Sequence, residues 1–499
     1  MRRWALLVTS ARCSLGFTLP YARRSVGLLG QHGEQQGSPS PSFAYAYCHG
    51  FLSGPGSFKG LALRESMLEV GVDMALLNLN GEGSGPGAML ISGALQAVRQ
   101  FHTDKKSAVG DPGLKLRLTG SSLGGFIVAR YAELYPDEVD RIFMLCPSFC
   151  LGTRAPTLAS EPEMADWERT GAKVFQLSTG GEASVPWAFV EEAKLQSDYP
   201  EYICPAAILH GLNDEVVPVA STRTLVEESS DLAKRTSVMF VEDDHALTQP
   251  STVDLTAKAM VAFYDMEGGN GGMAASDGGQ PDMLPSQKNV EGKFSADDVD
   301  RVKESLLARG GHLIGEHVFW DAYWDAPDGG LTERDWWLRN RAGRWELKAS
   351  ATGVLGGSGE GVTAYREVIL ASEIARELKA AKFLESSDRD DIRATWLDEA
   401  MLEAAGFEAF ACFRTNRAKY RLDGYAVDID RSSFGHQVVE IETMSGSGAA
   451  EVESASDGIT AVAQSLGIRR GDASGRLTKG KLLEYITRYC PKQLEVLTR

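Results

Sequence analysis

Three short segments of the C-terminal half, Asn289 to Lys293, Arg339 to Arg341 and Glu440 to Glu442, place polar or charged residues at every second position in stretches that otherwise read as β-strand. Side chains two apart on a strand share a face. The charges within each segment therefore point to one side together, and the chain would have to crowd the acids Glu291, Asp428, Glu440 and Glu442 against the bases Lys293, Arg339, Arg341, Lys348, Arg417 and Lys481. Such crowding is costly unless something bridges the charges, and a divalent metal carrying a polyphosphate does so. A triphosphate brings about four negative charges, which several Lys and Arg must neutralise, Arg in bidentate fashion. A hard divalent cation takes oxygen ligands from carboxylates and phosphates, polarises the terminal phosphoryl group and orients a water for in-line attack.

A second chemistry is written in the N-terminal half. Leu116 to Thr119 leads into Gly120-Ser121-Ser122-Leu123-Gly124-Gly125 and then a helical pattern, so a GxSxG motif lies where a strand turns sharply into a helix. Small residues permit that turn and lift Ser122 into the open. A serine hydroxyl needs a base and a carboxylate to orient the base. Asp214 follows one expected strand and His245 another, in the chain order Ser, Asp, His. The segment His49-Gly50-Phe51, after the first strand, offers the backbone N–H of Phe51 as one oxyanion donor, with the N–H of Leu123 as the other. His210 and His102 read as structural.

The elements that must position these groups follow from hydrophobic periodicity. Between Ser42 and Asp265, apolar runs at 43–48, 74–79, 114–118, 142–145, 206–210 and 238–241 read as buried strands, and 88–103, 124–135 and 252–264 as helices. The alternation predicts a mostly parallel sheet flanked by helices. The segment 148–200, with Trp167 and Trp187, is expected to cap the site. In the second half, period-2 runs at 289–294, 314–323, 335–348, 363–370, 409–421, 425–431 and 437–443 read as antiparallel strands, with helices near 296–308, 391–404, 449–466 and 479–489. These strands suffice to close a barrel, and charged inward positions would make its lumen a polyelectrolyte cavity.

The chain has 499 residues, too many for one core, and 43% apolar residues, enough to fill more than one. A formal net charge of −17 argues against nucleic-acid or anionic-membrane partners, since the phosphate attraction that drives such binding turns repulsive over most of the surface. Seven scattered cysteines without a CxxC pair indicate neither a disulfide framework nor a zinc site, and fit a reducing compartment. Five arginines and no acid before Glu34 give residues 1–41 the character of a transit peptide and leader. That reading places the chain in a mitochondrion or plastid, or in the cytoplasm if the leader is not a transit peptide. No apolar stretch is long enough to span a bilayer. The Gly-rich segment 266–288 reads as a linker, so the expected domains are 42–265 and 289–499.

The residues quoted for 42–265, with HGF early, GSSLGG later and the order Ser, Asp, His, together resemble the α/β-hydrolase superfamily. The resemblance implies serine esterase-type acyl hydrolysis by Ser122, His245 and Asp214. In 289–499, Asn289-Val290-Glu291-Gly292-Lys293-Phe294 resembles the ExExK opening of the CYTH superfamily, the triphosphate tunnel metalloenzymes. Trp337-Leu338-Arg339-Asn340-Arg341, Trp345-Glu346-Leu347-Lys348, Tyr365-Arg366-Glu367, Arg417, Val427-Asp428-Ile429-Asp430, Val439-Glu440-Ile441-Glu442 and Lys481-Leu482-Leu483 follow in order and are similar to its thiamine-triphosphatase branch. What this implies is an eight-stranded tunnel in which Lys293, Arg339, Arg341, Lys348, Arg417 and Lys481 bind triphosphate and Glu291, Asp428, Glu440 and Glu442 hold Mg²⁺. Trp337 then matches the position whose indole stacks on thiamine, and an ordinary core tryptophan is the equally weighted reading.

One position departs from the pattern. The first glutamate of ExExK is Asn289, an amide that can coordinate through its carbonyl oxygen without supplying charge. The expectation is a bifunctional hydrolase of small-molecule substrates, a thiamine triphosphate and an ester. Inorganic tripolyphosphate hydrolysis, cyclisation of ATP, or a tunnel that binds without turnover stand as alternatives.

Overall fold

The computed structural model describes residues 42–264 and 288–498, apart from 82–84, 178–179, 229, 296–298, 351–361, 364, 370, 385–396, 398, 446–448 and 472–477. The expected leader and nearly all of the expected linker lie outside the described residues. Of the expected helix over 391–404, the structure describes Glu399–Ala404.

The first half contributes strands β1 (Phe43–Cys48), β2 (Ala75–Leu77), β3 (Lys115–Ser121), β4 (Val139–Leu145), β5 (Ala172–Gln176), β6 (Glu182–Pro186), β7 (Ala206–Gly211) and β8 (Thr236–Val241). All but the β5–β6 hairpin lie in one parallel array, ordered β2-β1-β3-β4-β7-β8. The sheet is buried on both faces. Leu116, Leu118, Ile142 and Ile208 pack with Phe126 and Ile127 of the helix Leu123–Leu134 and with Val98 of Ile91–Val109. On the other face Tyr47, Leu145 and Leu209 meet Met67 of Phe58–Glu69 and Met260 of Pro250–Phe263. A parallel strand without a solvent face has no reason to alternate, which explains the continuous apolar runs in the sequence. This is the α/β architecture expected.

The second half contributes β9 (Lys288–Phe294), β10 (His312–Asp325), β11 (Trp336–Arg341), β12 (Arg344–Ser350), β13 (Val362–Thr363), β14 (Tyr365–Val368), β15 (Glu408–Leu422), β16 (Tyr425–Ser432) and β17 (Gln437–Ser445). The single run read over 335–348 is two strands. The chain reverses at Ala342 and Gly343, both at positive φ (49° and 79°), with Gly343 N donating to Asn340 Oδ1 at 2.8 Å. Two successive residues at positive φ make the tight turn that matches strand twist in a hairpin.

Antiparallel pairing runs β9-β17-β16-β15-β10-β11-β12. Two short strands flank this array: β13 pairs with β9, and β14 with β12. One face of these strands is apolar. Val290, Val427, Ile429, Val439 and Ile441 pack beneath the helices Val299–Ala308 and Ala449–Ser465, while Leu338, Trp345 and Leu347 pack against Ala371–Ala380. The alternate residues are the charged ones, so helices cover the outside and charge occupies the inside.

β10 also joins the two halves. Its residues Glu316 to Val318 pair antiparallel with Val238 to Phe240 of β8, on the edge that β11 occupies further along, so one hydrogen-bonded sheet runs through both halves. The β11–β12 turn packs close to the first half, since a Cβ on Gly343 would lie 2.0 Å from Pro205 Cγ.

Candidate functional sites

Ser122, His49, Asp214 and His245 all follow the carboxyl ends of parallel strands, where an open α/β sheet gathers its loops. Ser122 has φ 56° and ψ −120°, a strained conformation at the first turn of the helix Leu123–Leu134. Close packing enforces it. A Cβ on Gly120 would sit 2.2 Å from Gly124 O, and one on Gly124 would sit 2.1 Å from Cys48 O, so neither position tolerates a side chain. Gly50 lies directly against Ser122, whose Cβ is 3.1 Å from where a Cβ on Gly50 would be. This brings the His49-Gly50-Phe51 loop beside Ser122 and beside Leu123, the first residue of the helix.

His245 Nδ1 donates to Asp214 Oδ2 at 2.7 Å. The other Asp214 oxygen accepts from the backbone N–H groups of Val216 (2.8 Å) and Val217 (2.7 Å). His210, read from sequence as structural, also lies 3.2 Å from Asp214 Oδ2, and Thr222 Oγ1 stands 2.8 Å from its Nδ1. Burial alone would raise the Asp214 pKa, yet the hydrogen bonds from His210 and His245 prevail and hold it well below the usual carboxylate range. The His245 pKa is lowered, first by burial and further by the Lys59 ammonium, against the pull of Asp214. A neutral imidazole beside a fixed carboxylate is a general base in waiting. Ser122 Oγ is 3.4 Å from Ser148 Oγ, and among the described residues it makes no hydrogen bond to His245. Catalytic hydrogen bonds of this kind often close only when substrate is bound. Cys146, His210 and Asp214 have ligand atoms within 4.8 Å of one another, but the carboxylate is already engaged and burial pushes the thiol pKa up.

The segment after β4 folds over this site. Phe51 stacks on Phe189 (4.8 Å between centroids) and meets Phe175 of β5 edge-on (5.8 Å), while Trp167 packs against both Phe175 and Trp187. The roof is thus aromatic and rests on the loop beside Ser122.

On the inner face of the second half, the register brings the expected acids and bases into contact. Arg417 pairs across with Asp430, accepted by both carboxylate oxygens at 2.7 Å, and also reaches Asp428 (2.5 Å) and Glu440 (2.7 Å). Lys481, buried at the start of the helix Lys481–Tyr489, donates to Asp430 and lies 3.3 Å from Glu440. Lys293 donates to Glu291 on β9, which faces Glu442 across the pairing with β17. Glu442 also lies 3.5 Å from Lys419. On the opposite side, Arg341 forms a bidentate pair with Asp321 (2.6 and 2.8 Å), Arg339 contacts Glu346 (2.6 Å), and Lys348 contacts Glu367 (2.8 Å).

Trp337 shares the face of Arg339 and Arg341. It pairs in register with Lys348, packs beside Tyr323 and Phe413, and donates through its indole N–H to Asp335 at 2.9 Å. For Asn289 the backbone is placed in β9 opposite Met444.

Sequence reasoning passed over Asp321, Glu346, Glu367, Asp430 and Lys419 as members of this ring. Four of them stand two positions from a residue already singled out or inside a quoted motif, so strict alternation would have found them. Asp321, fully buried, carried no such signal.

The electrostatics fit a cation as well as an anion. Burial first, against Arg417 and Lys419, raises the Asp428 pKa to about 6, and its Oδ1 is buried without a hydrogen-bond partner among the described residues. An acceptor oxygen left this way is costly unless a cation or donor meets it. Glu440 is held well below the carboxylate range, burial being overcome by Lys481 and Arg417, and Glu346 falls to about 2 through Arg339 and Lys348 despite burial. Two carboxylates held ionised beside a third with an unfilled oxygen are a donor set that a hard divalent metal takes.

Residues 287–476 match the family model of the CYTH domain, and residues 47–186 that of the alpha/beta hydrolase fold. The chain is 29% identical to thiamine-triphosphatase of Homo sapiens over 206 residues, which cover 39% of this chain and 83% of that protein. It is 27% identical to the palmitoyl-protein thioesterase ABHD10, mitochondrial, of Rattus norvegicus over 181 residues, 34% of this chain and 58% of that relative. Among solved structures, Est1E from Butyrivibrio proteoclasticus with bound ferulic acid is similar, with 18% identity and a TM-score of 0.37 over 46% of this chain and 90% of that one.

Proposed function

Because the chain joins an α/β-hydrolase domain to a CYTH domain, we propose that it is a hydrolase with two sites, a metal-dependent triphosphatase on its second half and a serine acyl hydrolase on its first. The observation that carries the triphosphatase reading is the interleaving of acids and bases on one inner face, with Asp428 Oδ1 lacking a hydrogen-bond partner among the described residues. A polyanion binding to Lys293, Arg339, Arg341, Lys348, Arg417 and Lys481 draws those cations away from their carboxylates. The acids so released, Glu291, Asp428, Glu440 and Glu442, then favour a cation, so anion and metal bind together more readily than either alone.

Mg²⁺, when bound there, supplies neutralisation of the phosphates and polarisation of the terminal phosphoryl group. The chain's own residues hold the substrate. Arg417, fixed by Asp430, presents a planar donor fork to phosphate oxygens; Arg339 and Arg341 do so from the facing wall. Lys481 closes one end from the N-terminus of its helix, where backbone N–H groups also favour anions. Thiamine triphosphate is the preferred substrate in this reading, supported by the Trp337 indole on the tunnel face beside Lys348 and by the likeness to thiamine-triphosphatase. The test is phosphate release by the full chain from thiamine triphosphate, tripolyphosphate and ATP, with and without Mg²⁺. Mg²⁺-dependent release, fastest from thiamine triphosphate, is expected; binding of all three without release would make the tunnel a sensor.

In the first half, Ser122 Oγ attacks the acyl carbonyl and passes its proton to His245 Nε2, while Asp214 holds the imidazole in the required tautomer. The N–H groups of Phe51 and Leu123 receive the oxyanion, and His245 returns the proton to the leaving group. The aromatic roof of Phe51, Phe175 and Phe189 and the thioesterase relative favour esters or thioesters of apolar acyl chains. Labelling of Ser122 by a fluorophosphonate, absent in Ser122→Ala and His245→Ala, is the expected result; wild-type protein that refuses the probe would overturn it.

A further inference from the structure

His317 lies on β10 four residues before Asp321, with Phe319 between them on the same face, so its imidazole belongs to the charged inner face. It pairs in register with Arg417 of β15, and Arg341 stands over the intervening Phe319 ring at 3.6 Å. Its Nε2 is buried and, among the described residues, has no hydrogen-bond partner.

We propose that His317 is a further polyphosphate ligand of the tunnel, whose Nε2 takes up a proton as the anion enters and donates it in a hydrogen bond to a phosphoryl oxygen. The inference rests on the triphosphate reading above and adds a residue and a pH dependence to it. A buried imidazole nitrogen with no partner is costly in an isolated protein; among neighbours of which Arg417, Lys419 and Arg341 are cations, a phosphate oxygen is a partner that fits.

The groups facing it settle the direction of proton movement. Arg417 and Lys419 approach from β15 and Arg341 from β11, with Asp430 of β16 the opposing acid; β8 sets the uncharged Met239 alongside. Burial first, then those three cations, hold the imidazole pKa down to about 3, so it is neutral without ligand. A polyphosphate reverses the local sign. Once the cations are answered by several negative charges, the imidazolium becomes the favoured form, and a proton from solvent binds Nε2 with no other bond made or broken.

Calorimetry with metal-free inorganic tripolyphosphate and the full chain, at pH 6 and pH 8 in pairs of buffers with different ionisation heats, reads this directly. After subtraction of the anion's own titration, wild-type protein at pH 6 is expected to take up roughly half a proton or more on binding. His317→Asn is expected to lose that uptake and to bind about tenfold more weakly at pH 6, with a smaller difference at pH 8. His317→Lys, a fixed cation, is expected to restore the affinity without the proton uptake. Binding by wild type with no proton uptake, a measurement that needs no variant, would overturn the proposal and leave the triphosphate reading intact, as would equal affinity and uptake in His317→Asn. Failure of tripolyphosphate to bind the wild-type protein at either pH would instead remove the tunnel reading, and this inference with it.

Discussion

Around Ser122 one buried carboxylate, Asp214, has its oxygens answered by two imidazoles and two backbone N–H groups, whereas on the inner face of the second half Asp428, Asp430 and Glu440 share a single guanidinium, that of Arg417. The first arrangement is complete in itself and stores its cost in backbone strain at one serine. The second is complete only as a network and stores its cost in charge. Acyl transfer passes through a covalent intermediate, so it needs one nucleophile held in one place. Phosphoryl transfer spreads charge over many oxygens, so it needs many groups that can change partners. Substitutions should therefore act locally at the first site and collectively at the second.

The sharpest break of that contrast is Ser122→Ala. It should lower ester hydrolysis by roughly 10⁴- to 10⁶-fold while leaving Mg²⁺-dependent phosphate release unchanged. Arg417→Ala should show the collective behaviour. We expect loss of phosphate release by at least about 10³-fold, together with a loss of stability on the order of 3–5 kcal/mol, because three buried carboxylates lose their common partner. Chemical denaturation read by tryptophan fluorescence checks the second part, and Arg417→Lys, which keeps the charge but not the fork, should recover stability more than activity. If Arg417→Ala leaves stability untouched, the ring is not a network and the comparison fails.

Gly124→Ala tests strain against charge. The new methyl would meet Cys48 O and His49 O within 2.5 Å, so about 3 kcal/mol or more of stability should go whether or not Ser122 is present, and with Ser122 present ester hydrolysis should fall as well. The pH profile of ester hydrolysis is gentler. His245 must be neutral to accept the serine proton, and burial and Lys59 favour that form, so the acid limb of kcat/KM should fall below the ordinary imidazole value of 6.5. Activity is present above that limb and lost as pH drops through it. A limb above 6.5 would mean that Asp214 outweighs burial.

The two halves also differed in how far they could be read in advance. The parallel sheet was legible because its strands are continuous apolar runs, and the GxSxG turn because its glycines answer to packing that only hydrogen can meet. The inner charged face was legible because β-strand alternation assigns side chains to faces without knowledge of their neighbours. What alternation cannot supply is partnership. The run at 335–348 gave no sign of reversing until the positive φ of Ala342 and Gly343 divided it, and Asp321 reads as one more acid in an aromatic strand until register sets it opposite Arg341. His210 reads as merely structural for the same reason: its place against Asp214 depends on a loop that returns, not on spacing. The helices Phe58–Glu69 and Ala371–Ala380 went unread, the first because Gly60 and scattered polar residues blur its apolar stripe.

The smallest effect concerns the seam where the two chemistries meet. Arg223 of the first half and Glu316 of β10 form an ion pair at 3.1 Å, and the guanidinium lies over Phe240 at 4.4 Å, which makes it the obvious candidate for holding the halves together. Both side chains are about one-third exposed, so water screens their attraction. The backbone ladder between β8 and β10 lies beneath them and does not depend on either charge. A double-mutant cycle of Arg223→Ala and Glu316→Ala should accordingly give a coupling of about 1 kcal/mol or less. Val318→Pro, by contrast, removes an N–H from the strand that both neighbours use and should cost about 3 kcal/mol or more. A coupling of several kcal/mol from the ion pair, with Val318→Pro tolerated, would show that the halves are joined by charge and not by the shared sheet.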